Sequence, residues 1–190
     1  MAPMPSTELS DVDKKILRQL AQDSIHYGLQ HHKPLPINLS DYNETLTRQG
    51  ASFVTLNLNH QLRGCIGTLE AYQPLVKDIA DHAFAAAFQD PRFPPVTAEE
   101  EPHLELHISV LSKPVPIEFI DEKDLLSKIE PGIDGLILED SYHKGTFLPS
   151  VWEQLPSADV FLKHLKLKAG LKQDDWNNNI RVYRYHTTGF

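Results

Sequence analysis

The segment Leu62-Arg63-Gly64-Cys65-Ile66-Gly67 holds the chain's one cysteine, with a guanidinium two residues before it and a glycine on either side of the pair Cys65-Ile66. Side chains two apart on a strand share a face about 6.6–7 Å apart, so an unbroken strand sets Arg63 and Cys65 on one side and Leu62 and Ile66 on the other. A positive charge beside a thiol favours the thiolate, which is the nucleophile and the metal ligand. Gly64 and Gly67 weaken a strand and are placed where it bends or where another backbone or a ligand comes close. The other reading is a small buried residue between bend-making glycines, since free cysteine is among the most buried residue types.

Three further groups could do chemistry. His103, Glu105 and His107 alternate along a second strand-like run, where an imidazole beside a carboxylate could act as a general base or share a metal ion; three ligands along one flat strand chelate poorly without help, and no metal is expected. Asp90-Pro91-Arg92-Phe93-Pro94-Pro95 sets a carboxylate and a guanidinium among rigid prolines, suited to a self-ordering loop or to orienting an anionic ligand. His26, His31 and His32 straddle a helix end, where the dipole favours cationic imidazoles. No P-loop or dinucleotide fingerprint is present, and no cofactor is expected.

The elements that must position these residues are readable from periodicity. Ser10 caps an amphipathic helix to His31, stopped by Pro34 and Pro36. Val54, Leu56 and Leu58 alternate with polar residues into a turn at Asn59-His60-Gln61 and a return strand, Leu62 to Thr68. A second helix runs from Pro74 to Gln89, followed by a capping-box pattern at Thr97 to Glu100 and a regular strand from Leu104 to Val110. A short helix from Asp121 to Ile129, strands at Leu136–Glu139 and Thr146–Leu148, a helix from Ser157 ended by Gly170, and a last strand, Ile180–Tyr185, complete the reading. The class is α+β with a largely antiparallel sheet and flanking helices.

Length and charge narrow the function. A chain of 190 residues makes one domain or a unit of two lobes, and 41% hydrophobic with 23% charged residues is ordinary for a folded protein. Eighteen basic against 26 acidic residues give −8, which offers no field for nucleic acid or an anionic membrane. Lys163 to Arg184 carries six basic and two acidic residues, leaving −12 on the rest, a weak exception without aromatic interleaving. The lack of an export signal or an apolar span, with one unpaired thiol, points to the cytoplasm. The first nine residues are expected to be flexible.

LRGCIG resembles the signature hexapeptide of the AMME syndrome candidate gene family. FVTL (Phe53–Leu56), DPRFPP, ISVL (Ile108–Leu111), DGLIL (Asp134–Leu138), GTFLPSVWEQLP (Gly145–Pro156) and KAGL (Lys168–Leu171) are similar to its other blocks, in order, over about Ile16 to Phe190. LPSVWEQLP is similar to the bacterial branch called AmmeMemoRadiSam system protein A. Asn59-His60 stands where a glycine-containing turn is common in the family. The resemblance implies a single α+β family domain with a larger and a smaller lobe and LRGCIG near a cleft between them. It also implies a Memo-like protein and a radical S-adenosylmethionine enzyme as partners, and supplies no established reaction.

The function expected is recognition of a substrate or partner through Arg63, Gly64, Gly67, Asp90 and Arg92. The alternatives are a thiol-dependent enzyme with Cys65 as nucleophile and His107 as base, and a nucleic-acid-associated regulator.

Overall fold

Ser10 begins the first ordered helix as its sequence predicts. Its hydroxyl accepts from the N–H of Asp13, and the Asp13 carboxylate accepts in return from the N–H of Ser10, so two of the free amides at the start of α1 (Asp11–His31) are satisfied. The Ser10 and Asn43 side chains on Asp13 hold its carboxyl below the usual carboxylate range. The computed structural model describes residues 8–190; of the segment expected to be flexible, residues 1–7 lie outside the described residues, while Leu9 packs against the core.

The chain divides into two compact units, the larger made of the residues up to Leu111 with Thr188–Phe190, the smaller of Ser112–Thr187. In the larger unit α1 is followed by α2 (Glu44–Thr47), β1 (Gln49–Leu58), β2 (Gln61–Gly67), β3 (Gln73–Pro74), α3 (Leu75–Phe88) and β4 (Leu104–Leu111); β9 (Thr187–Gly189) returns to it at the end of the chain. The sheet runs β2-β1-β4-β9, with β3 pairing β1, so β2 is at an edge. Leu17, Leu20 and Ile25 of α1 and Ile79 and Ala83 of α3 close over Val54, Leu56, Leu106 and Ile108 on one sheet face. Burying a side chain of this size stabilises by about 1.5–3 kcal/mol, which is what the alternation in β1 and β4 provides.

The smaller unit contains β5 (Val115–Pro116), α4 (Glu122–Lys128), β6 (Gly135–Glu139), β7 (Lys144–Phe147), α5 (Ala158–Ala169) and β8 (Arg181–Tyr185), with the antiparallel order β5-β8-β6-β7. Phe161, Leu162 and Leu165 of α5 pack on Leu136, Leu138 and Val182, and Trp152 stacks on Phe161 with ring centroids 3.7 Å apart. Gly170 ends α5 at φ 94°, a left-handed conformation that favours glycine.

The α+β class, the antiparallel pairing and four of the five α-helices are as the sequence indicates, with two revisions: α2 (Glu44–Thr47) was not expected, and there are two sheets, one per unit, where one was expected. No helix among the described residues is long and apolar enough to cross a membrane.

Candidate functional site

The hairpin that carries Cys65 turns at Asn59 and His60, both with positive φ (52° and 62°). A two-residue loop of this kind matches the strand twist, and the turn is made here without glycine. From the turn, Leu58 pairs Gln61 and Asn57 pairs Leu62, but Leu56 pairs Gly64, so Arg63 is left over as a β-bulge. Beyond the bulge Thr55 pairs Cys65 and Phe53 pairs Gly67.

This extra residue corrects the expected geometry. Arg63 and Gly64 are buried in succession, and the Arg63 guanidinium is paired with Glu100 instead of standing beside the thiol. Its Nε and Nη2 donate to the two Glu100 carboxylate oxygens at 3.0 Å each, a bidentate fork, and this contact is the first cause of a Glu100 carboxyl held below its ordinary range. Glu100 also closes the predicted capping box, with Thr97 N–H on its Oε2 at 2.9 Å and its own N–H on Thr97 Oγ1 at 3.3 Å. Arg63 Nη1 is buried and has no hydrogen-bond partner among the described residues.

Gly64 meets the end of α3: a Cβ there would lie 2.0 Å from the carbonyl oxygen of Ala86. Gly67 meets β1, where a Cβ would lie 2.4 Å from the Phe53 ring and from Ser52 O. Both glycines are close-approach positions, Gly64 against the end of α3 and Gly67 against Phe53 and Ser52 of β1.

The Asp90–Pro95 loop folds over the edge of β2. The N–H of Cys65 donates to Asp90 Oδ2 at 3.0 Å, and Arg92 Nη2 reaches the Cys65 carbonyl at 3.4 Å. Arg92 also donates to Asp90 through its backbone N–H (3.1 Å), Nε (3.0 Å) and Nη2 (2.7 Å). The Arg92 fork, and after it the amides of Cys65 and Arg92, drive the Asp90 carboxyl far below its ordinary range against the opposing effect of burial. Asp90 in turn is the main reason that Arg92 holds its proton more tightly than a free arginine.

The thiol is half-buried, 3.1 Å from Thr55 Oγ1. Thr55 is also paired with His107 on β4, so Cys65, Thr55 and His107 form one row across three strands, on the sheet face away from α1 and α3. His107 is exposed, and its ring lies against β9: a Cβ on Gly189 would be 3.0 Å from its Cε1 and Nε2. His103 falls in the 3-10 turn Glu101–His103 before β4, so it does not share the strand with Glu105 and His107 as expected, and Glu105 pairs with His60 at 3.4 Å. Among the described residues no three His, Cys, Asp or Glu side chains gather to hold a metal.

The structure thus brings together Arg63, Gly64, Cys65, Asp90 and Arg92, while Gly67 packs on Phe53 and His107 lies across Thr55 on β4. Thr55, Phe93 and Glu100 join the site without having been singled out. Glu100 was legible only as a helix cap, and Thr55 would follow from the hairpin register once the bulge is known. The basic stretch from Lys163 to Arg184 is mostly spent within its own unit: Lys163 pairs with Asp159, Lys166 with Glu122, Arg181 with Glu139, and Arg184 with Glu130 and Asp134.

Comparison with known proteins places these residues in a family. Residues 18–190 match AMMECR1, and the chain belongs to that family. It is similar to Protein MJ0810 of Methanocaldococcus jannaschii, 37% identical over 162 residues that cover 81% of this chain and 79% of that one. It is also similar to Protein LS215_2104 of Saccharolobus islandicus, 37% identical over 187 residues, 94% of this chain and 81% of that protein. The crystal structure of uncharacterized protein PH0010 from Pyrococcus horikoshii superposes with a TM-score of 0.81 at 34% identity, covering 95% of this chain and 92% of that one.

Proposed function

We propose that this AMMECR1-family protein is a recognition component, in which the edge of β2 and the Asp90–Pro95 loop present Arg92 and Phe93 to a partner or to the partner's substrate. The observation that carries the reading is how the charges are used. Arg63 is committed to Glu100 and Asp90 to Arg92 and the Cys65 amide, so these groups build and hold a surface instead of activating a nucleophile. The thiol's hydrogen-bond neighbour is a neutral hydroxyl, and a nucleophile needs a base within reach. Of the two arginines, Arg63 is 10% exposed at its side chain and Arg92 55%, which makes Arg92 the one that meets a ligand and Arg63 the one that keeps the bulge in place.

The resemblance of LPSVWEQLP to AmmeMemoRadiSam system protein A extends the proposal to its partners: a Memo-like protein and a cytoplasmic radical S-adenosylmethionine enzyme, whose cofactor would supply the reactivity. The experiment is reconstitution with both partners, comparing wild type, Cys65→Ser and Arg92→Ala. Cys65→Ser keeps the backbone bond to Asp90 and retains partner binding and turnover, whereas Arg92→Ala weakens binding about tenfold or more, the usual cost of an arginine anchor. Loss of turnover in Cys65→Ser with binding intact would overturn the reading. It would favour the second one, a thiol-dependent enzyme, whose specific support is the Cys65–Thr55–His107 row.

A further inference from the structure

Ser52, Asp78 and His82 are polar residues inside an apolar layer. Ser52 is fully buried on β1, on the face that carries Val54 and Leu56, and Asp78 and His82 are the two polar residues among those α3 buries. Ser52 Oγ donates to Asp78 Oδ2 at 2.6 Å, His82 Nδ1 is 3.1 Å from the same oxygen, and Gln73 Nε2 donates to Asp78 Oδ1 at 3.4 Å. Among the described residues no Lys or Arg pairs with Asp78, so its carboxylate is held by hydrogen bonds and the imidazole. Apolar side chains of similar volume often stabilise such a position as well or better, so the trio calls for a role other than packing.

The arrangement fixes the ring. With Asp78 as acceptor, the proton of a neutral His82 sits on Nδ1 and the lone pair is left on Nε2. Nε2 makes no hydrogen bond to the described residues, and among them the buried side-chain nitrogen and oxygen atoms without a partner are Arg63 Nη1 and Arg184 Nε alone. Nε2 therefore meets solvent, through an opening that leaves His82 8% exposed. Water can enter such an opening, and a larger molecule needs only to approach it. Ser52 gives its proton to Asp78 and lies 3.5 Å from Nδ1, the other ring nitrogen, and Cys65 stands on the opposite face of the sheet. Neither can lose a proton to Nε2, so the proton comes from outside the chain.

We propose that Asp78 and His82 are a water-activating pair, a hydrolytic site for uncharged esters on the sheet face opposite Cys65. Nε2 takes a proton from water as the water oxygen bonds to the ester carbonyl carbon; the bond from that carbon to the alcohol oxygen then breaks, and the imidazolium returns the proton to the departing oxygen. Asp78 is a positioning residue: it holds the tautomer and stabilises the imidazolium. A negative charge that no Lys or Arg offsets repels an anionic substrate, which leaves an uncharged one. The site goes beyond the recognition reading and uses none of its residues.

Two readouts on the whole chain test it. Long-range proton–nitrogen correlation at about pH 8, where imidazole is neutral, should show wild-type His82 with its proton on Nδ1, and Asp78→Asn should move that proton to Nε2. The wild type should hydrolyse p-nitrophenyl acetate, more slowly in heavy water and with no acetyl group left on the protein. His82→Gln, which keeps a donor for Asp78, should lower the rate about a hundredfold at an unchanged melting temperature, whereas Cys65→Ser and His107→Gln should not. A wild-type His82 protonated on Nε2, a rate unchanged in His82→Gln, or an acetyl group retained on His82 overturns the proposal. The tautomer is read on the wild type, so it decides even where a variant does not fold.

Discussion

The N–H of Cys65 donates to Asp90 Oδ2 at 3.0 Å, so the strand edge at the thiol is closed by a side chain and not by another strand. Because Arg92 approaches the Cys65 carbonyl from the same direction, at 3.4 Å, the Asp90–Arg92 ion pair supplies both an acceptor and a donor, as the main chain of a neighbouring strand would. Edge strands left open are templates for unwanted pairing, and covering them is a recurrent solution. Here the cover also fixes where the half-buried thiol and the exposed arginine stand.

Asp90→Ala should therefore destabilise the larger unit. It removes the acceptor of the Cys65 amide and leaves the Arg92 fork unpaired, and hydrogen bonds to charged groups contribute about 1.5–3 kcal/mol each. Asp90→Asn keeps an acceptor for the amide and should cost less. Urea denaturation of the three proteins is the check; equal midpoints for wild type and Asp90→Ala would mean that the edge cover contributes nothing.

The same carboxylates set the response to acid. Asp90 and Glu100 are held below their ordinary range by Arg92 and Arg63 respectively, and Asp140 is lowered to about 2, first by the Tyr142 amide and then by the ring and amide of His143. A depressed carboxyl adds stability that is present above the unfolded value, about 4, and is lost as pH falls through the folded one. Unfolding followed against pH should show stability declining from about pH 4 downwards. Asp140→Asn should flatten the part of that decline between about 4 and 2. A wild-type curve flat to pH 2, or an Asp140→Asn curve identical to it, would count against these assignments.

Much of this fold is legible in the sequence because its signals are local. Ser10 with Asp13, the alternation of Leu104 to Leu111, and Gly170 after α5 each specify an element through contacts within a few residues. β3 and β9, two and three residues long, are not legible, since their pairing with β1 and β4 is decided by distant chain. The bulge is what separates the expected site from the observed one. Counting back from the Asn59-His60 turn without a bulge sets Cys65 opposite Val54, on the face packed by the helices; the extra residue Arg63 moves it opposite Thr55. Gly64, which can come within reach of the Ala86 carbonyl, is the only local hint of it. Glu100 was read as a cap, and its hold on Arg63, 37 positions away in sequence, is invisible to any local pattern.

Gly64→Ala follows from that contact. A Cβ 2.0 Å from a backbone oxygen cannot be relieved by a side-chain rotation, so β2 or the end of α3 must move. Overpacking of this kind costs about 1–3 kcal/mol, and the displaced bulge should also loosen the Arg63–Glu100 fork. Thr68→Val, at a half-buried position just past β2, is the control and should change the melting temperature little. Comparable losses in both variants would show that Gly64 is no special constraint.

The last prediction separates a thiol that belongs to a surface from a thiol that belongs to a catalyst. Cys65 is half-buried, so iodoacetamide should modify it in the native protein, more slowly than a free thiol and to one equivalent, since there is no other cysteine. His107 and Cys65 flank Thr55 on adjacent strands, which separates their Cα atoms by about 9–10 Å, twice the inter-strand spacing. Direct proton transfer over that distance requires an intermediary, and the Thr55 hydroxyl would have to serve on both sides. A working general base is worth about 10²–10⁴-fold in rate. His107→Gln should therefore leave the alkylation rate within about twofold of wild type if the thiol is not activated by it, whereas a loss of about a hundredfold with unchanged melting behaviour would show the row to be a proton path. Thr55→Val completes the comparison: an effect shared by Thr55→Val and His107→Gln, and absent from Arg92→Ala, would assign chemistry to the row and confine recognition to the loop.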